Sequence, residues 1–153
     1  MKRELKMAGL LATLALTALL GAGGEKPQEI EYTETPPAPV RQSSANVATK
    51  SAGCVSCHTH TDRKTMHINP AVQLGCTDCH GGNAHVERPA GSQPGETGYD
   101  DAMSEAHVKP LYPEAWGHSS RNPERSYTLL NRESPEYVRF VNPGDLRVAE
   151  ESC

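Results

Sequence analysis

Two short cysteine–histidine motifs are the residues most able to carry chemistry in this chain. They are Cys54-Val-Ser-Cys57-His58 and Cys76-Thr-Asp-Cys79-His80. If each motif is helical, about one turn separates its cysteines, so both sulfurs lie on one side and the histidine follows toward the same centre. Two thiols and an imidazole in this order are the groups that attach haem c covalently and bind its iron. The sequence therefore predicts two haem c groups, with Cys54, Cys57, Cys76 and Cys79 as thioether anchors and His58 and His80 as proximal iron ligands.

Other chemistries also use a CysXXCys pair. Such a pair can be half of a zinc site or a redox-active dithiol. A zinc site of four cysteines would leave the repeated histidine unexplained, and a dithiol oxidoreductase would need a βαβ context that the sequence does not show. Haem attachment is favoured, and a structural metal or thiol module stays open as the alternative.

Second axial ligands for the two irons must come from outside the motifs. Five further histidines are available: His60, His67, His85, His107 and His118. His67 lies between the motifs and can reach either haem. His85 follows the second motif too closely to reach the far side of its own haem, because it lies only five positions after His80, a stretch of at most roughly 17 Å. We expect bis-His ligation with His67 and His85 as the first candidates, His107 and His60 as the next, and His118 as a solvated loop residue.

The N-terminus has the pattern of an export signal. Lys2, Arg3 and Lys6 precede a largely apolar run over residues 8–22, and small residues follow it. A membrane-spanning helix needs roughly 20 apolar residues, so this run is short for one. We expect residues 1–23 to be a cleaved signal peptide and the protein to be periplasmic or otherwise exported, with an uncleaved membrane anchor as the lesser alternative. The attachment motif independently implies the same compartment.

The chain without its signal is acidic and poor in large apolar side chains. Removal of residues 1–23 deletes three basic residues and one acidic residue, which leaves 12 Lys and Arg against 18 Asp and Glu, a net charge of −6. This charge argues against nucleic-acid binding and suits a basic redox partner. The whole chain has one Phe and one Trp. The haems are therefore expected to supply the apolar bulk of the core.

The organisation along the chain follows from these features. Residues 24–52, rich in proline and polar residues, predict a flexible linker, residues 53–118 a dihaem module, and residues 119–153 the start of a further haem segment. A short helix is expected within residues 102–111, and Ser134 followed by Pro135 predicts another helix start. The predicted fold class is mostly irregular with short α-helices, organised around covalently bound haems, with a disordered N-terminal tether.

The last residue, Cys153, also bears on this organisation. It follows a predicted capped helix, and it would open a third attachment motif whose remainder is absent. We therefore expect the chain to be the N-terminal fragment of a longer multihaem protein. A C-terminal thiol without a haem is the alternative.

On these residues the chain resembles the periplasmic multihaem c-type cytochromes. The resemblance rests on the two attachment motifs, on Gly81-Gly82 after the second, and on Thr65-Met66-His67 and Glu105-Ala106-His107, where such proteins often place distal histidines. Its specific motifs cover residues 54–85. It implies closely packed haems that pass electrons along a chain of contacts.

The expected function is electron transfer through two closely spaced low-potential haems, as part of a multihaem relay. The chain alone is not expected to be an enzyme. Its expected partners are redox proteins, among them a membrane quinol-oxidising or terminal reductase complex. The alternative is the relay segment of an oxidoreductase acting on nitrogen or sulfur oxyanions, with its catalytic haem beyond Cys153.

Overall fold

Short α-helices joined by irregular segments make up the fold. The computed structural model describes residues 26–60, 71, 73–116 and 127–152, without the side chains of 127 and 128. Its helices are α1 (Ser44–Thr49), α2 (Ala52–Cys57), α3 (Cys76–His80), α4 (Thr97–Ala106), α5 (Pro113–Trp116), α6 (Tyr127–Leu130), α7 (Pro135–Val141) and α8 (Ala149–Ser152). No strand occurs within these described ranges. The expected mostly irregular fold with short helices is confirmed. The predicted signal peptide, His67, His118 and Cys153 lie outside the described residues.

Helix α7 begins where the sequence predicts a start. Ser134 is its N-cap, and its hydroxyl accepts a hydrogen bond from the N–H of Tyr137 at 3.2 Å. Pro135 occupies the first helical position, where its missing N–H costs no hydrogen bond. Tyr137 and Val138 then face inward and are only 3% and 2% exposed. By contrast, the helix expected within residues 102–111 lies earlier, as α4, and ends at Ala106.

The apolar core lies in the C-terminal part of the chain. Leu130, Tyr137, Val138 and Val148 are buried together, with Phe140 among the side chains packed on them. Helix α3, which contains the second motif, packs against α7 and α8. Residues 127–152, predicted as the start of a further haem segment, therefore pack directly on that motif.

The segment before α1 contains no helix or strand and is hydrogen-bonded to the body. The N–H of Gln28 donates to the carbonyl of Leu111 at 2.8 Å, and the Tyr32 hydroxyl donates to the carbonyl of Lys109 at 2.9 Å. Arg139 donates to the carbonyl of Thr35 at 2.9 Å. Residues 26–43 are therefore irregular but attached to the body by hydrogen bonds. The predicted linker also contains α1.

Candidate functional site

Both attachment motifs fold as short helices, as their spacing predicts. Cys54 and Cys57 lie in α2, and His58 is the residue at which α2 ends. The second motif is α3 itself, Cys76–His80. About one helical turn separates the cysteines of each pair, so the two thiols of a motif point to the same side. All four cysteines are thiols of intermediate exposure.

The first motif docks on the segment that follows the second. The N–H of Gly53 donates to the carbonyl of Ala84 at 2.7 Å. A Cβ atom on Gly53 would lie 2.1 Å from the carbonyl oxygen of Val86, so no side chain fits there. The Ser56 hydroxyl accepts a hydrogen bond from the N–H of Arg88 at 2.9 Å. Helix α2 is therefore held against residues 84–88.

The second motif is held in turn by the connection between α1 and α2. The N–H of Cys76 donates to the Ser51 hydroxyl at 3.1 Å, and the N–H of Thr77 donates to the carbonyl of Lys50 at 3.2 Å. These donors lie in the first turn of α3, where they have no partner within the helix. The two motifs are thus fixed relative to one another by contacts within a few residues of each cysteine pair.

Asp78, between the cysteines of the second motif, joins α3 to the N-terminal part of the chain. Its side chain is 4% exposed and forms an ion pair with Lys50 at 2.5 Å. The carboxylate also accepts hydrogen bonds from the Gln42 amide at 2.5 Å and from the N–H of Gly75 at 2.7 Å. Burial alone would raise the pKa of Asp78, but the hydrogen bonds from Lys50, Gln42 and Gly75 outweigh it and hold the pKa below its ordinary value.

The imidazole of His80 is oriented by α7. Its Nδ1 lies 2.7 Å from the carbonyl oxygen of Phe140. A carbonyl oxygen can only accept, so Nδ1 must carry the proton and donate it. Nε2 is then the ring nitrogen with the lone pair, which is the tautomer that metal-binding histidines adopt when a carbonyl orients them. The second motif therefore presents a histidine prepared to bind a metal through Nε2.

Arg139, the neighbour of Phe140 on α7, secures the end of α3. Its guanidinium is buried and donates to the carbonyls of Asp78 at 2.6 Å and Cys79 at 3.0 Å. These carbonyls belong to the last residues of α3, where a cation is electrostatically favourable. The backbone that places the second cysteine and His80 is thereby held against α7.

His107 is the histidine that the fold brings to the first motif. Its ring centroid lies 6.2 Å from that of His58 and 4.9 Å from that of Phe140. Burial, with the charge of His58 as a second cause, lowers the pKa of His107. The side chains of His60 and His85 are exposed. From the sequence alone, His107 ranked after His67 and His85 as a candidate distal ligand, because its proximity to His58 depends on a contact between distant segments.

Gly82 lets the segment that carries His107 approach the second motif. A Cβ on Gly82 would lie 2.7 Å from the carbonyl oxygen of Ala106, and the N–H of Asn83 donates to the same carbonyl at 2.9 Å. The absence of a side chain at Gly82 therefore lets the end of α4, directly before His107, lie against the residues that follow the second motif.

A cavity of about 1030 Å³ lies beside His80, on the side of α3 that bears Thr77. Its lining includes two further histidines, His85 and His107, and the cationic side chains of Lys50, Lys109 and Arg139. Five glutamates also line the cavity, so its wall carries charges of both signs: Glu31, Glu34, Glu105, Glu136 and Glu151.

Each motif supplies the two thiols and the imidazole that haem c would need. Within the ranges that the structure describes, no three His, Cys, Asp or Glu side chains are grouped so that they could hold a metal ion directly. Across the same ranges, every helix is too short or too polar to cross a membrane. Searches with protein-family models, characterised proteins and solved structures find no match to the chain.

Proposed function

We propose that the chain is an electron-transfer segment that carries two covalently attached haem c groups. Cys54 and Cys57 anchor one group, and Cys76 and Cys79 anchor the other. Each thiol would add across a vinyl group of the porphyrin, with a new carbon–sulfur bond and with the thiol proton transferred to the neighbouring vinyl carbon. The histidine that ends each motif would bind the iron.

The observation that carries this proposal is the hydrogen bond from His80 Nδ1 to the carbonyl of Phe140. It fixes the ring orientation and leaves Nε2 as the nitrogen able to bind iron. A carbonyl partner also makes the imidazole a stronger electron donor than an unsupported ring, which favours Fe(III) and a low potential.

The chain's residues favour electron transfer over substrate chemistry. When bound, haem c would supply an Fe(III)/Fe(II) couple, and a histidine in each sixth position would leave no open site for substrate. The contacts of Lys50 and Ser51 with α3, and of Gly53 and Ser56 with residues 84–88, hold the two attachment points close together. Such proximity suits transfer between the two groups.

The charge of the chain supports a basic redox partner. Without residues 1–23 the net charge is −6. Opposite charge on a partner would speed association and make it sensitive to ionic strength. We infer an exported protein that exchanges electrons with another redox protein or with a membrane quinol-oxidising or terminal reductase complex.

Haem counting tests the attachment. The chain is expressed with export and haem c maturation, and covalent haem is measured by the pyridine haemochrome assay. We expect two haems per chain, and one in each of the double variants Cys54→Ala/Cys57→Ala and Cys76→Ala/Cys79→Ala. Cys153→Ala is the matched control and should keep two. A wild-type chain without covalent haem would refute the proposal.

Carbon monoxide binding separates the carrier from an enzyme. If both sixth positions hold histidine, carbon monoxide should leave the spectrum of the reduced protein unchanged. A shift in the wild-type protein would instead indicate an open iron site and favour the oxidoreductase alternative.

A further inference from the structure

We infer that His107 is the distal iron ligand at the first motif, opposite His58. This inference rests on the proposed haem attachment and adds the ligand that the motif does not specify. The centroids of the two imidazole rings lie 6.2 Å apart, and the ring planes are tilted by 32°.

The separation agrees with two imidazoles bound to one metal. A metal–imidazole nitrogen bond is about 2.0–2.1 Å long and a ring nitrogen lies about 1.2 Å from its centroid, so imidazoles on opposite sides of a metal have centroids about 6.4 Å apart. The observed separation is within about 0.2 Å of this value. Ordinary aromatic contacts range over about 4.5–7 Å, so the distance alone does not decide. The deciding feature is that one ring of the pair is the histidine of an attachment motif.

Hydrogen bonds fix the backbone at His107 and at the residue before it. Its own N–H donates to the carbonyl of Met103 at 3.1 Å, which closes the last turn of α4. The preceding carbonyl, of Ala106, accepts the N–H of Asn83 at 2.9 Å. A ligand must be held in place before the metal binds, and these bonds hold this one.

Phe140 connects the two proposed iron sites. Its ring centroid lies 4.9 Å from that of His107, and its carbonyl accepts the proton of His80 Nδ1. One residue of α7 thus positions the distal ligand of the first site and the proximal ligand of the second. The other described histidines outside the motifs differ from His107, whose ring packs on Phe140. His60 lies two residues after His58, and both His60 and His85 are exposed.

The experiment removes one imidazole at a time from the haem-loaded protein. In His107→Ala, electron paramagnetic resonance should show one of the two haems converted from low spin to high spin, and carbon monoxide should bind to half of the haem. His118→Ala is the matched control, because His118 is predicted to be a solvated loop residue, and it should keep both haems low spin. Two low-spin haems in His107→Ala, with two haems still attached, would overturn this inference and leave the attachment proposal intact. A wild-type protein without haem would overturn both.

A second variant separates ligation from folding. In His107→Met, a thioether replaces the imidazole, so one haem should stay low spin with a raised potential while the other keeps its potential. Two unchanged potentials would overturn the assignment even if His107→Ala proved unfolded by circular dichroism.

Discussion

Replacement of Arg139 by methionine should cost this protein a large part of its stability. Arg139 is 5% exposed and donates four hydrogen bonds, all to backbone carbonyls. The acceptors are Asp78 at 2.6 Å, Thr35 at 2.9 Å, Cys79 at 3.0 Å and Pro36 at 3.3 Å. Methionine keeps much of the apolar stem but donates nothing, so the change isolates the hydrogen bonds.

The magnitude follows from which carbonyls water can reach after the substitution. Thr35 and Pro36 belong to the segment before α1, and water can reach their carbonyls when this segment moves away. The carbonyls of Asp78 and Cys79 lie under α7 and lose their partner there. Each hydrogen bond to a charged group contributes about 1.5–3 kcal/mol, so the loss of two such bonds that water cannot replace costs about 3–6 kcal/mol. Total stabilities of about 5–15 kcal/mol make this a severe loss.

Urea unfolding of the haem-loaded protein, followed by far-ultraviolet circular dichroism, measures the effect. With a slope of about 1.5 kcal/mol/M, the urea midpoint should fall by about 2–4 M. Arg147→Met is the matched control, because Arg147 also donates to a carboxylate, a carbonyl and an amide oxygen, but its side chain is 39% exposed. Its loss should cost about 1 kcal/mol or less. Equal midpoint shifts in the two variants would refute the argument that the burial of the arginine, rather than the number of its hydrogen bonds, determines the loss of stability.

Two further predictions concern the helices that contain the motifs. Gly53→Ala should lower the melting temperature sharply, because the new Cβ would lie 2.1 Å from the carbonyl oxygen of Val86. The control Gly98→Ala in α4 places its Cβ 3.5 Å from a side-chain atom only, so it should be neutral or stabilising by up to about 1 kcal/mol. Calorimetry on both variants measures the two effects, and equal losses of stability would contradict the prediction. Because the folded-state pKa of Asp78 lies below its ordinary value of 3.8, its stabilising effect is complete above that value and is lost as the pH falls through the folded-state pKa. Asp78→Asn should therefore lower stability at pH 7 and flatten its decline below about pH 4 in urea titrations, and an unchanged decline would show that Asp78 is not the responsible group.

Local signals were sufficient to predict several helices. Cysteine spacing predicted the helices of both motifs, and Ser134 with Pro135 predicted the start of α7, because caps and helical periods depend on a few adjacent residues. Helix α4 was placed too late, since its N-terminal part lies in a stretch whose glycines and prolines favour a loop.

Contacts between distant segments could not be predicted in the same way. The bond from His80 to Phe140 joins residues 60 positions apart, and the approach of His107 to His58 depends on the fit of Gly82 against Ala106. The composition of residues 26–43 predicted a flexible linker. It contained no sign that its carbonyls would serve as acceptors for a buried arginine on α7.

The intact mass of the exported, matured chain tests the central claim most directly. Measured under denaturing conditions, it reports covalent attachment without relying on any spectral assignment. We predict the polypeptide mass plus two haems, falling to one haem in Cys76→Ala/Cys79→Ala. The polypeptide mass alone, in a sample shown by a known cytochrome expressed beside it to be competent for maturation, would contradict the account.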